Sequence, residues 1–138
     1  MRDDAGLAVD ARRNHRRLTI TAIAFLTAGA LHFVIPRFYV AIIPAYMPGP
    51  LTLVLLSGFF EMLGGAGLLF PVTRRAAAVG LITLLVAVFP ANVEMLRQAQ
   101  AHDAGLLPVL GLWLRLPLQP LLMWWVWRIA GTGNDLSG

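Results

Sequence analysis

The chain has 138 residues, of which 58% are hydrophobic and 13% are charged. It is too apolar for an ordinary soluble domain and too short for two domains. It has no cysteine, which excludes disulfides, iron–sulfur clusters, thiolate catalysis and cysteine-based zinc sites. The net charge is +4, but the arginines punctuate hydrophobic segments and form no single basic patch, so we expect no nucleic-acid partner.

The first part of the chain predicts a tail, a helix and a loop. Residues 1–17 are polar and arginine-rich, which indicates a disordered or interfacial cytoplasmic tail. Residues 18–35 form an apolar run that is longer than the core of a signal peptide and leads into further apolar segments, so they predict a retained first transmembrane helix. Residues 36–50 contain four prolines, a density that forbids a regular helix and predicts an outer loop or a short re-entrant segment.

The middle of the chain predicts two more transmembrane helices. The second covers residues 51–70 and is stopped by Pro71. The third covers residues 76–96 and has a kink at Pro90, since proline removes a helical hydrogen bond. The polar residues 97–105 then predict a loop.

The last apolar stretch, residues 106–130, is interrupted by Arg115, Pro117 and Pro120. Two structures fit this pattern: a helix that begins near Leu116, or a broken helix hinged at the prolines. A helix from Leu116 would span only about 21 Å, which is short for a bilayer. We therefore favour some helical or re-entrant structure before Arg115.

Arginine positions predict the orientation. With both termini in the cytoplasm, eight arginines lie inside and three outside, as the positive-inside rule favours. The fold class is thus all-α, a single bundle of four transmembrane helices over residues 18–130. Residues 131–138 form a second cytoplasmic tail. A multi-pass protein of this kind belongs in a cell membrane, and we expect the bacterial plasma membrane.

Glu61 is the most informative position, because it lies near the middle of the second apolar run. A charge at the bilayer midplane costs at least about 2.5 kcal/mol, so this carboxyl group should be neutral, paired or facing a cavity. Two interpretations stay open. Glu61 either bonds across helices to His32, Ser57 or Arg115 as a purely structural group, or serves a ligand or a proton.

Four other polar residues are predicted at similar depth, in the outer half of the bundle: His32, Asn92, Arg115 and Gln119. Together with Glu61 they predict a polar pocket near the outer side. His32 is too isolated for a metal site, and we expect none. Arg115 suits an interfacial anchor or a counter-ion to Glu61. Asn92 follows Pro90 and most simply satisfies backbone groups freed by the kink.

Several stretches carry a resemblance to a known family. They are residues 28–33 (AGALHF), 57–65 (SGFFEMLGG), 89–93 (FPANV) and 114–119 (LRLPLQ). In this order they resemble the DoxX-like family of small four-helix membrane proteins, over about residues 20–130 of this chain. One relative in that family is a subunit of a thiosulfate:quinone oxidoreductase, and others are linked with thiol-redox partners.

The resemblance implies a link to membrane redox systems. Without cysteine this chain cannot perform dithiol chemistry, so a redox role needs a quinone in the bundle or a partner that carries the redox centre. We expect no activity of the chain on its own. Two functions remain. In the first, the chain is an accessory subunit that binds a quinone or lipid head group and has an outer-side redox protein or a second copy of itself as a partner. In the second, it is a non-catalytic scaffold or assembly factor without a small-molecule site.

Overall fold

The computed structural model describes residues 4–102 and 105–131, and these residues are all-helical, without a β-strand. Four helices are long and one is short. In chain order they are α1 (Asp4–Val34), α2 (Pro36–Val40), α3 (Pro50–Gly67), α4 (Arg74–Ala101) and α5 (Leu106–Gly131).

The four long helices are each long and apolar enough to cross a membrane. The candidate spans are Gly6–Val34, Pro50–Gly67, Arg74–Ala101 and Leu106–Gly131. The predicted all-α chain with four apolar spans is therefore confirmed at this level. An 18-residue helix such as α3 rises about 27 Å, close to the thickness of a hydrocarbon core.

Two helices are longer than the sequence predicts. The described part of the arginine-rich segment is helical and continuous with α1, so the prediction of a disordered tail is wrong there, and its interfacial location stays a prediction. Helix α4 continues through Arg97 and Gln98 to Ala101, where a loop is predicted. Both side chains reach back to Glu94, at 3.1 and 3.4 Å, and such contacts three and four residues apart support a helix.

The proline-rich segment contains the five-residue helix α2, although the sequence predicts no regular helix there. Pro36 occupies its first turn, where a missing N–H costs nothing and the fixed φ angle suits the helix. Turns follow up to Gly49, which precedes α3 with a φ of 61°, a left-handed conformation that glycine adopts without strain.

The last helix is a single element with Pro117 and Pro120 inside it. The alternative in which the helix begins near Leu116 is therefore wrong, and the favoured one, with helical structure before Arg115, is confirmed. The predicted hinge stays a prediction.

The long helices associate as two closely packed pairs, α1 with α3 and α4 with α5. The α3–α4 contact joins the pairs on one side, and the α1–α5 contact on the other side is the loosest of the four. Most core residues lie toward the end of the bundle that holds the start of α1 and the end of α5. We call this part the closed end; its buried residues include Leu18, Leu68, Ala78, Val126 and Ile129.

A close approach of two glycines sets the α1–α3 pair. A Cβ atom on Gly29 would lie 2.6 Å from the carbonyl oxygen of Gly58. A Cβ atom on Gly58 would lie 2.6 Å from the Cβ atom of His32. Small residues at a crossing allow helix backbones to touch. This crossing brings His32 on α1 next to the turn of α3 that carries Glu61.

Candidate functional site

A cavity of about 430 Å³ lies between the two helix pairs. Its wall includes every polar residue that the sequence places in the outer half of the bundle. These residues are His32, Glu61, Asn92, Arg115 and Gln119. The structure thus brings all five to one cavity, although they come from four helices.

His32 and Glu61 connect α1 with α3. The Nδ1 atom of His32 lies 2.9 Å from the carbonyl oxygen of Ala28 and 3.5 Å from Oε2 of Glu61. A carbonyl oxygen can only accept, so Nδ1 carries the hydrogen in this arrangement. The longer distance to Glu61 makes that contact a loose one. The Glu61 carboxyl group therefore keeps capacity for a further partner in the cavity.

Tyr39 completes this side of the cavity, and the sequence analysis does not place it in the site. Its ring stacks on His32, with 3.9 Å between ring centroids and 20° between planes. Burial, followed by the nearby Glu61 carboxyl group, raises the pKa of Tyr39 above its usual 10.0, and the charge of Arg115 partly opposes this. The phenol therefore stays protonated at neutral pH and can donate a hydrogen bond into the cavity.

Asn92 and Gln119 connect α4 with α5. Asn92 Nδ2 donates to Gln119 Oε1 at 2.9 Å, and both side chains are buried. Gln119 Nε2 donates in turn to the carbonyl oxygen of Leu85. Pro90 has no N–H for the carbonyl of Val86, so Gln119 bonds the backbone next to the weakened turn.

This geometry corrects the role predicted for Asn92. The sequence analysis expects Asn92 to satisfy backbone groups freed by Pro90. Its side chain instead bonds Gln119, and Gln119 makes the backbone contact from the neighbouring helix. The sequence carries no signal for this exchange, because it depends on how α4 and α5 face each other.

Arg115 lies in the cavity wall but is exposed. Among the described residues it makes no ion pair within 4.0 Å, so the direct contact expected of a counter-ion to Glu61 is absent, and His32 is the residue that approaches Glu61 this closely. Arg115 is nevertheless close enough to act on the pKa of Tyr39. Ser57, a predicted partner of Glu61, also lines the cavity but donates to the carbonyl of Val54 at 2.9 Å.

Chemically, the site offers donors and one acidic group around an apolar space. Tyr39 and Arg115 can donate, and Glu61 can accept or, when protonated, donate. Within the part of the chain that the structure describes, no three histidine or carboxylate side chains come together as a metal site. The arrangement suits hydrogen bonding to an uncharged polar group.

The described residues form a small helical bundle with four candidate membrane spans and a cavity whose wall carries polar groups, an arrangement consistent with a multi-pass membrane protein. The chain belongs to the family described as a domain of unknown function, DUF8561, whose model matches residues 21–130. No curated protein and no solved structure matches the chain.

Proposed function

We propose that the protein is a DoxX-like accessory subunit of a membrane redox system that holds the head group of a quinone or a lipid in its polar cavity. The observation that supports this is the 430 Å³ space whose wall carries all five polar residues. Small-molecule pockets have volumes of about 300 to 1,000 Å³ and combine apolar walls with a few convergent polar groups. A bundle held only by its own polar contacts has no need of such a space.

The charges around the cavity favour a neutral head group. Glu61 and Arg115 carry opposite formal charges, so a ligand with a single charge would be repelled by one of them. A carbonyl or hydroxyl head can accept from Tyr39 and Arg115. A hydroxyl head can also donate to the Glu61 carboxylate, whereas a carbonyl head bonds Glu61 only when this carboxyl group is protonated. Quinones, quinols and neutral glycerides have this chemistry.

The chain supplies no dithiol of its own, because it has no cysteine. In this proposal it has no activity alone, and electrons pass between a bound quinone and a partner. The partner is a membrane or outer-side redox protein, and a second copy of the chain is a further candidate neighbour. The lipid bilayer is the remaining partner.

The proposed orientation puts both termini in the cytoplasm of a bacterial cell, with the polar end of the cavity toward the outer side. It rests on the eight-to-three arginine bias. A reporter fused after Gly138 should be active only in the cytoplasm. Reporter activity on the outer side would reject this orientation, but it would not bear on the proposed head-group site in the cavity.

The head-group proposal is tested by mild-detergent purification of the full chain, followed by solvent extraction and mass analysis of quinones and lipids. Native protein should retain one such molecule in near-stoichiometric amount. Glu61→Gln keeps the size and both hydrogen-bonding roles and should retain most of it, whereas Glu61→Leu should lose it. Equal ligand content in both variants, or none in native protein, would overturn the proposal.

A second candidate function, a non-catalytic scaffold or assembly factor, is favoured by a different observation. The polar pairs His32–Glu61 and Asn92–Gln119 each tie together two helices that already pack closely. In that case Glu61→Leu would lower the thermal stability in detergent while native protein contains no ligand. Co-purifying proteins, identified in the same preparation, would then indicate what the scaffold assembles.

A further inference from the structure

The cavity has a mouth on one side of the bundle. Among the described residues, the wall residues that are also exposed all belong to α1 or α5: Ile20, Ala24, Arg115, Leu118 and Leu122. Every wall residue from α2, α3 and α4 is buried or half-buried. A side chain that is both in the wall and at the surface marks an opening. The cavity therefore opens sideways, between α1 and α5.

Toward the closed end, the opening stops where α1 and α5 contact each other directly. Trp125 Nε1 donates to Thr21 Oγ1 at 3.0 Å, and the Arg17 guanidinium group lies 5.5 Å from the centroid of the Trp125 ring. Thr21 is 6% exposed. Toward the closed end α1 and α5 are thus in firm contact, although their contact over the whole length is the loosest between neighbouring long helices.

The opening is apolar along most of its length. We call it the α1–α5 slot and define it by Ile20, Ala24, Leu118 and Leu122. These residues lie inside two candidate spans, so the slot faces hydrocarbon when the protein is in a bilayer. Arg115 stands at the other end, beside the polar wall, and its Cα lies about 10 Å along the helix from that of Leu122.

We propose that the slot is the chain site and the lateral entrance for a neutral, lipid-soluble ligand with a hydrocarbon chain. The inference rests on the proposed head-group site and adds where the rest of the molecule lies. The head bonds the polar wall near Glu61 and Arg115, and the chain leaves through the slot into the bilayer. Such a molecule exchanges with the membrane without passing its chain through water.

The test uses the full chain in detergent and two probes, 2,3-dimethoxy-5-methyl-1,4-benzoquinone and its 6-decyl derivative. Ligand-induced thermal stabilisation reports the apparent affinity of each. Leu122→Trp narrows the slot, and Leu121→Trp is the matched control, since Leu121 is its exposed neighbour outside the cavity wall. Ala24→Trp narrows the slot from the opposite helix.

Leu122→Trp should weaken binding of the decyl probe at least tenfold and binding of the chainless probe less than twofold. Ala24→Trp should reproduce this selective loss, and Leu121→Trp should change neither probe more than twofold. Equal loss of both probes, or no loss of the decyl probe in both slot variants, would overturn the slot and leave the head-group site intact. Failure of native protein to bind either probe, together with the absence of any retained quinone or lipid in the extraction experiment, would overturn both proposals.

Discussion

The two ends of the bundle are built on different principles. At the closed end, apolar side chains such as Leu18, Val126 and Ile129 are at most 2% exposed and pack directly against each other. In the cavity half, the wall of a space of about 430 Å³ is mostly apolar and carries polar side chains from four helices. One half of the molecule is filled, and the other is held open.

The difference shows how a small membrane protein can keep a cavity. In lipid, helices gain little from hiding apolar surface, so packing contacts and polar bonds provide association. The closed end supplies the packing contacts. The polar pairs then hold α1 to α3 and α4 to α5 around the cavity without filling the space between the pairs. Substitutions in the two halves should therefore differ in kind.

The largest contrast is expected from truncating one apolar side chain in each half. Ile129→Ala removes a core side chain that is 1% exposed and should lower the free energy of unfolding by about 2 to 5 kcal/mol. Leu118→Ala, at the slot and 48% exposed, should cost less than about 1 kcal/mol, because little packing is lost there. Reversible unfolding in mixed micelles measures both. Equal losses would contradict the division into a filled and an open half.

The glycine crossing gives the next largest effect. Gly58→Ala places a Cβ atom 2.6 Å from that of His32 and 2.8 Å from the carbonyl oxygen of Gly29, so α1 and α3 must separate. We expect a loss of about 1 to 3 kcal/mol in unfolding free energy. Gly80→Ala is the control, since among the described residues no atom beyond its own stretch of helix backbone lies within 4 Å of the added Cβ, and it should gain up to about 1 kcal/mol from helix propensity. A neutral Gly58→Ala would refute the close crossing.

The amide pair between α4 and α5 should show coupling. Asn92→Leu leaves the buried Oε1 atom of Gln119 without its donor and should cost about 1 to 3 kcal/mol. Adding Gln119→Leu to Asn92→Leu should cost less than the two single losses combined, because the orphaned group is gone. A double-mutant cycle from thermal unfolding tests this. Strict additivity would mean that the two amides do not bond in the membrane.

The smallest effect is expected where the slot is sealed. Trp125→Phe removes the hydrogen bond to Thr21 and weakens the contact with Arg17, at a cost of about 1 kcal/mol. Trp127→Phe is the control, because Trp127 is exposed and its indole has no comparable contact among the described residues. The difference in melting temperature between the two variants measures how much the Trp125 contact between α5 and α1 contributes to stability. Equal melting temperatures would argue against this contact.

The predictions from sequence succeed where position along one helix decides the outcome. Rise per residue gives the depth of Glu61, His32 and Asn92, so their common level could be inferred before any packing was known. Helix ends are harder to predict. The helical extension of α4 depends on Arg97 and Gln98 bonding Glu94, and polar composition alone made this stretch look like a loop.

The partners of each polar group could not be predicted in the same way. Gln119 bonds both Asn92 and the carbonyl of Leu85, which requires a particular rotation of α5 against α4. Tyr39 reaches His32 only because α2 begins directly after α1 and brings the ring back over the cavity. A periodic pattern of apolar residues predicts neither the rotation of α5 against α4 nor the change of chain direction from α1 to α2.

The amino-acid sequence by itself determined the all-helical class, the four apolar spans and the level at which polar groups gather. These follow from composition and from the fixed rise of a helix. Only the tertiary structure decided that α1 and α3 meet through Gly29 and Gly58, that Glu61 pairs with His32 within 4.0 Å, and that the cavity opens between α1 and α5. The physical reason is that spacing along a helix fixes height, whereas the direction in which a side chain faces its neighbours depends on how whole helices pack.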